Sequence, residues 1–277
     1  MTHEDDGREN HRPHEADWEA LALDELGELA WEPAPGNAFA PGSDHRKSWD
    51  DLILYPDLRE AVERLNPSLP PDAVREAVAT AATPASQDTY EENRTAHEYL
   101  TTGIRSVTYT DAFGAEHNPT IRLVDLDDPD ANVYRALNQV TVIDGEKNRR
   151  FDIVLYVNGL PLAVLELKRA GDEDATLQTA HSQVTRYVEE FPTAFRYNAL
   201  VLLSDGITAK YGTPFTPYEH FAPWNTDEFG NRVDVLEAEG IWDSGQNLAL
   251  HGLFTQPRFL SLVRSFVNFV PSRRMKR

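Results

Sequence analysis

The stretch FDIVLYVNGLPLAVLELK, residues 151–168, constrains the fold more than any other part of the chain. Two apolar runs flank Asn158-Gly159, a dipeptide that accepts the left-handed backbone of a two-residue hairpin turn. Both faces of IVLYV and of LAVLEL are apolar, whereas a strand with one wet face alternates apolar with polar residues. The hairpin therefore belongs in the middle of a sheet that is covered on both sides. Such a sheet points to an α/β or α+β domain with a mixed central sheet flanked by helices.

The ends of the hairpin carry Asp152, Glu166 and Lys168. Charged side chains are seldom fully buried without a partner, so these ends must open on a cleft, form ion pairs or hold a cation. Glu166 and Lys168, two apart, share one strand face, while Leu165 and Leu167 point the other way. Register decides whether Asp152 joins them. With the two-residue turn alone, Asp152 opposes Leu165 and faces away from Glu166; a three-residue connection, or a bulge near Pro161, brings Asp152 to the side of Glu166. The expectation is the odd loop or the bulge. Two carboxylates on adjacent strands can then hold Mg²⁺ with several waters retained, with the backbone carbonyl of Leu167 as a third protein ligand. Such an ion neutralises charge growing on a phosphate and acidifies a bound water, and Lys168 beside it can orient or deprotonate the attacking water. This chemistry suits phosphodiester hydrolysis, although a surface ion pair closing a strand produces the same short pattern.

A net charge of −20 argues against a nucleic-acid partner, because phosphate binding draws on Lys and Arg. Distribution counts for more than the sum. Lys147, Arg149 and Arg150 precede the hairpin and Arg169 follows it, so the local balance is basic, and these four are the candidate DNA contacts. The absence of cysteine excludes disulfides, thiolate zinc sites and cysteine nucleophiles, and the nine histidines show no HExxH spacing. A metal here must be held mainly by oxygen. There is no apolar stretch of 18 residues and the start of the chain is polar, so neither a membrane span nor a secretory segment is read, and a cytoplasmic protein is expected.

Along the chain, residues 1–14 form a polar tail without apolar period. Helices are expected from Glu15 to a stop near the Pro33, Pro35 and Gly36 cluster, over Tyr55–Asn66, from an opening at Pro70-Pro71-Asp72 through Ala82, over 91–102 and over Ala175–Glu190. IRSVTYT, TIRLVDL, VYRALNQVTVID, the hairpin, Ala199–Ser204 and a run ending at Tyr211 read as strands. PRFLSLVRSFVNFV reads as an amphipathic helix followed by a basic tail.

The text around the hairpin, RRFDIVLYVNGLPLAVLELK, resembles the N-terminal nuclease domain of the restriction (R) subunit of type I restriction-modification enzymes, a branch of the PD-(D/E)XK fold. The resemblance continues through LNPSLP, VDLDDPDANVYRALNQVTV, QVTRYVEEFPTAFRYNALVLLSDGITAKYGT and FAPW, in the family's order, and covers about residues 15–270. It implies that Asp152 and Glu166 are metal ligands and Lys168 the catalytic lysine. Gln183 and Tyr187 match a Gln-x-x-x-Tyr motif, and their spacing gives them one helix face. EADWEALALDELGELAW resembles the family's opening helix, so Glu19 corresponds to an acid that could reach the metal. Where the family usually has Arg-Pro-Asp, this chain has Arg150-Phe151-Asp152, a change at a residue that is not a ligand.

Further implications are Mg²⁺ as cofactor, double-stranded DNA as substrate, and partnership with methyltransferase (modification) and specificity subunits. In the family, ATP is used by motor domains that follow on the same chain. No G-x-x-x-x-G-K stretch occurs here, so the expectation is a nuclease domain over 15–245 with residues 246–277 leading toward motors that are absent. A stand-alone PD-(D/E)XK nuclease of repair or defence, and a docking module that does not cut, are the alternatives.

Overall fold

The computed structural model describes residues 15–168, 176–227, 230–233 and 244–269. Expectations placed on the tail 1–14, on Arg169 and on the basic tail from residue 270 lie outside the described residues. In chain order the elements are α1 (Glu15–Glu28), β1 (Glu32–Pro35), α2 (Tyr55–Leu65), α3 (Pro71–Ala82), α4 (Thr89–Thr102), β2 (Tyr109–Thr110), β3 (Glu116–His117), β4 (Tyr134–Asp144) and β5 (Lys147–Val157). Then come β6 (Leu160–Leu167), α5 (Leu177–Glu190), β7 (Leu200–Ser204), β8 (Ala209–Gly212), α6 (Gly245–Phe254) and α7 (Gln256–Ser265).

β5 and β6 are the two middle strands of a six-stranded sheet ordered β1-β4-β5-β6-β7-β8. β1 runs parallel to β4 and β6 parallel to β7, the other pairs being antiparallel, so the sheet is mixed. Alternate residues of the hairpin enter two cores. Val154, Tyr156 and Val164 face Leu177, Ala180, Val184 and Tyr187 of α5, with Phe39, Leu52 and Leu54 from the segment after β1. Ile153, Leu155, Leu165 and Leu167 face a thicker layer built from α1, α2, α3, α4, α6 and α7. No helix among the described residues is long and apolar enough to cross a membrane.

The hairpin turn is itself interior. Asn158 and Gly159 both adopt left-handed backbone, φ 51° and 77°. Asn158 is fully buried. Its amide oxygen accepts from the Val133 N–H at 2.9 Å and from Arg64 Nη2 at 3.1 Å. Its amide nitrogen donates to Leu123 O at 3.0 Å and Asn132 Oδ1 at 2.8 Å. Gly159 lies against the start of α2, where a Cβ would stand 2.3 Å from Leu54 O. Conformation and space thus both demand this dipeptide.

Three readings of the sequence are corrected. IRSVTYT and TIRLVDL do not extend the sheet; they contribute the two-residue pair β2–β3 and an isolated bridge between Ile104 and Ile121. Their alternation reflects burial of Ile104, Val107, Ile121 and Leu123 against the helix layer, not ladder pairing. α1 ends before the proline cluster as expected, but Glu32–Pro35 is itself a strand, its prolines tolerated because β1 is an edge. The C-terminal region holds two helices, α6 and α7, broken at Thr255, and Leu250, Leu253, Phe254 and Phe259 are fully buried in the same core as the hairpin.

Three predictions follow from this packing. Gly159→Ala meets both the left-handed backbone and the Leu54 carbonyl, and is expected to cost at least about 2 kcal/mol in denaturant unfolding. Tyr156 is fully buried and its hydroxyl has no hydrogen-bond partner among the described residues, so Tyr156→Phe is expected to add about 1 kcal/mol of stability. Burial holds the phenols of Tyr156 and Tyr197 above the ordinary tyrosine range and pushes Tyr134 up to about 12. A raised folded pKa contributes stability that is complete below about pH 10 and is lost as pH rises past it. Stability measured against pH should therefore fall off above that point, less steeply in Tyr156→Phe.

Candidate active site

The bulge is where the sequence requires it. Tyr156 pairs with Pro161 and Val157 with Leu160, as the two-residue turn dictates, but Leu155 pairs with Ala163, Val154 with Val164 and Ile153 with Leu165. Leu162 is the extra residue. Because side chains alternate with period two, this one insertion moves the rest of β6 over by one position, and the next rung sets Asp152 against Glu166. Without it, Asp152 would face Leu165.

Both acids are enclosed, Asp152 being 8% and Glu166 1% exposed. Asp152 Oδ2 accepts the backbone N–H of Leu167 at 2.7 Å, which ties the acid of one strand to the end of the other. Lys168 Nζ donates to Glu166 Oε1 at 2.7 Å and to Leu167 O at 3.0 Å, and its own N–H donates to Ser204 O at 2.8 Å on the parallel neighbour β7.

α5 closes the site from one side. Gln183 donates from Nε2 to the Tyr187 hydroxyl, and the Tyr187 ring stands edge-on to Phe151 with centroids 5.2 Å apart. Burial first, then the negative charge of Glu166, and beyond it that of Asp152, push the Tyr187 phenol up to about 12. Tyr187 is thus a neutral hydroxyl within electrostatic reach of both acids.

Glu19 on α1 accepts from Asn138 Nδ2 at 2.7 Å and from Gln139 Nε2. Both amides belong to β4, and Gln139 falls between the pairs Asn138–Ile153 and Val140–Phe151, across the ladder from Asp152. Sequence reading passed over Asn138 and Gln139, although two adjacent amides between the apolar residues Leu137 and Val140 are a visible signal. Among the described residues, the ligand-type groups within 4.8 Å of one another are Glu25, Glu28 and His251, so Glu19 does not share a shell with Asp152 and Glu166 in this structure.

The basic cluster is divided. Lys147 and Arg150 are exposed. Arg149 pairs across the ladder with Val142, which faces the α5 core, and its guanidinium meets Glu190 of α5 at 3.1 Å. Arg150, next along the strand, leaves by the opposite face.

The donor set fits a hard divalent cation. Two buried carboxylates and a carbonyl supply only oxygen, and the ammonium of Lys168 already rests on Glu166 Oε1 and Leu167 O, two of the three oxygens concerned. A positive charge is accepted at that point.

A family model described as type I restriction enzyme R protein N terminus matches residues 12–220. The chain belongs to this family. The HindI endonuclease subunit of a type I restriction enzyme from Haemophilus influenzae is 34% identical over 259 residues, which cover 92% of this chain and 24% of that protein. A type I restriction enzyme endonuclease subunit of Staphylococcus saprophyticus is 35% identical over 108 residues, 38% of this chain and 11% of the relative. One from Staphylococcus aureus is 33% identical over 111 residues, 39% of this chain and 11% of the relative. The chain thus spans at most about a quarter of the curated relatives named here. Within this R-protein N terminus, every position of the Asp152–Glu166–Lys168 group and of the Gln183–Tyr187 pair lies inside the matched span.

Tyr187 separates packing from polarity. Tyr187→Phe keeps the Phe151 contact and is expected to change stability by no more than about 1 kcal/mol, whereas Tyr187→Ala opens a cavity costing about 3–5 kcal/mol. Thermal melts of the two variants check this.

Proposed function

We propose that this chain is the nuclease module of a type I restriction R subunit and hydrolyses phosphodiester bonds of double-stranded DNA with Mg²⁺ held by Asp152, Glu166 and the Leu167 carbonyl. The observation that carries the reading is the bulge at Leu162, which shifts the register so that the next rung sets Asp152 against Glu166. When bound, the cation supplies Lewis-acid stabilisation of phosphate charge and lowers the pKa of a coordinated water.

The chain's own residues do the rest. The Leu167 N–H holds Asp152 in one orientation. Lys168, whose ammonium here donates to Glu166 and Leu167 O, would orient the attacking water or meet a non-bridging phosphate oxygen if those oxygens held a cation. Tyr187 remains protonated through ordinary pH and can only act as a hydroxyl donor or acceptor, oriented by Gln183. Exposed Lys147 and Arg150, on a chain of net charge −20, give the DNA a local foothold that salt weakens readily. Sequence choice, ATP-driven translocation and methylation are functions we assign to other parts of such a complex, its modification and specificity subunits among them.

The test pairs metal binding with cleavage of supercoiled plasmid. Mg²⁺ should raise the melting temperature of the parent and of Lys168→Ala, but not of Asp152→Asn. Cleavage should fall by roughly 10²–10⁴-fold in Lys168→Ala and at least a hundredfold in Asp152→Asn. A parent that gains no stability from Mg²⁺, or an Asp152→Asn variant that responds like the parent, overturns the reading.

A further inference from the structure

A bulge disrupts the ladder around the inserted residue, and the backbone polar groups it displaces need other partners when they are buried. In the hairpin those partners come from one short segment, the two residues that precede β7. The carbonyl of Leu162, the inserted residue, accepts the Ala199 N–H at 2.8 Å. With its oxygen turned toward the Val164 N–H, the Asn198 side-chain amide accepts there at 3.1 Å and donates from its nitrogen to Leu200 O at 3.1 Å. This amide stands between β6 and β7 as a peptide group would, accepting from one strand and donating to the other.

Asn198 is itself held. It is 1% exposed, and its backbone carbonyl accepts from Asn93 Nδ2 of α4 at 2.8 Å. The same nitrogen reaches Phe195 O at 3.0 Å and Arg196 O at 3.1 Å, so α4 fixes the whole approach to β7. That approach in turn fixes Leu162 and Val164, and Ala163 between them pairs with Leu155 on β5 and Leu200 on β7. Continued along β6, this register puts Glu166 on the rung of Asp152. In the register set by the two-residue turn alone, Val164 opposes Ile153 and Glu166 opposes Phe151. Burial does not choose between the two, since both strands are apolar on both faces. A hydrogen-bonding group aimed at the residue beyond the bulge does.

We propose that Asn198 is a positioning residue of the candidate site, its amide holding β6 in the bulged register and thereby keeping Glu166 opposite Asp152. The inference rests on the reading of these two acids as a cation site. Asn198 acts through the backbone of β6 and not by contact with the cation.

The register can be read without metal. Cross-strand NMR contacts tie Ile153 to Leu165 in the bulged register and to Val164 in the other. These contacts, melting temperatures in EDTA and calorimetric Mg²⁺ titrations are compared for the parent, Asn198→Ala, Asn198→Ser and Val74→Ala. Serine keeps a hydroxyl that can meet the Val164 N–H directly or through a water, and it carries the test if alanine prevents folding. Val74→Ala, a truncation on the buried face of α3, controls for general loss of stability. In Asn198→Ala the Ile153–Val164 contacts should emerge beside the Ile153–Leu165 contacts, and the half-saturating Mg²⁺ concentration should rise about tenfold or more. Asn198→Ser should fall between Asn198→Ala and the parent, while Val74→Ala should melt lower but keep the parent's register and half-saturation. If both Asn198 variants melt lower yet keep the Ile153–Leu165 contacts alone and bind Mg²⁺ like the parent, the amide is only a brace and the proposal fails. A register change that leaves Mg²⁺ binding intact overturns it as well. If the parent itself binds no Mg²⁺, the cation reading is wrong, and the NMR contacts still decide whether Asn198 sets the register.

Discussion

The geometry of the site depends on a single inserted residue in a central strand. A β-strand repeats every two residues, so any register that buries one set of side chains exposes the other, and there is no intermediate position. β5 and β6 are apolar on both faces, which would allow either register as far as burial is concerned. The Asn158-Gly159 turn selects one, and Leu162 then overrides it for the far half of the hairpin. Everything that distinguishes the candidate site lies beyond that insertion: the opposition of Asp152 and Glu166, the Leu167 N–H on Asp152, and Lys168 emerging beside both.

Burial of the turn makes this register rigid. Hairpin turns usually face water, where they can slip or be lengthened. This one is closed over by α2, with all the polar atoms of the Asn158 side chain engaged and no room for a Cβ at Gly159. A turn fixed at one end and a bulge fixed a few residues later leave the strand no freedom to carry Glu166 elsewhere. The left-handed rung at Gln139 is the counterpart on the other flank, and Gly36 approaches the backbone closely on either side of it. Two irregularities in otherwise regular strands bracket the same pair of acids. Placing carboxylates together in a largely apolar interior is unfavourable for folding.

Much of this was legible from residue patterns. The hairpin, its central position, four of the helices to within a residue or two, and the need for either an odd loop or a bulge near Pro161 all follow from periodicity and from the conformational demands of Asn-Gly. The misreadings share a cause. IRSVTYT and TIRLVDL alternate like strands because Ile104, Val107, Ile121 and Leu123 are buried, but burial against helices leaves the same alternation as burial in a sheet. EPAP was passed over because proline is a poor strand former everywhere except at an edge, and whether a segment is an edge depends on which strand it meets, here β4.

The sequence by itself determined the identity of the acids and the lysine, the apolar character of the strands that carry them, and the turn between those strands, because these are local properties of residues within one hairpin. Only the tertiary structure decided which strand absorbs the bulge, that α5 brings Tyr187 within reach of Glu166 and Asp152, that Arg149 is spent on Glu190 rather than left for a ligand, and that Glu19 is met by two amides from a strand more than a hundred residues away. Those outcomes depend on contacts between segments distant in the chain, and no pattern within a single segment records its partner.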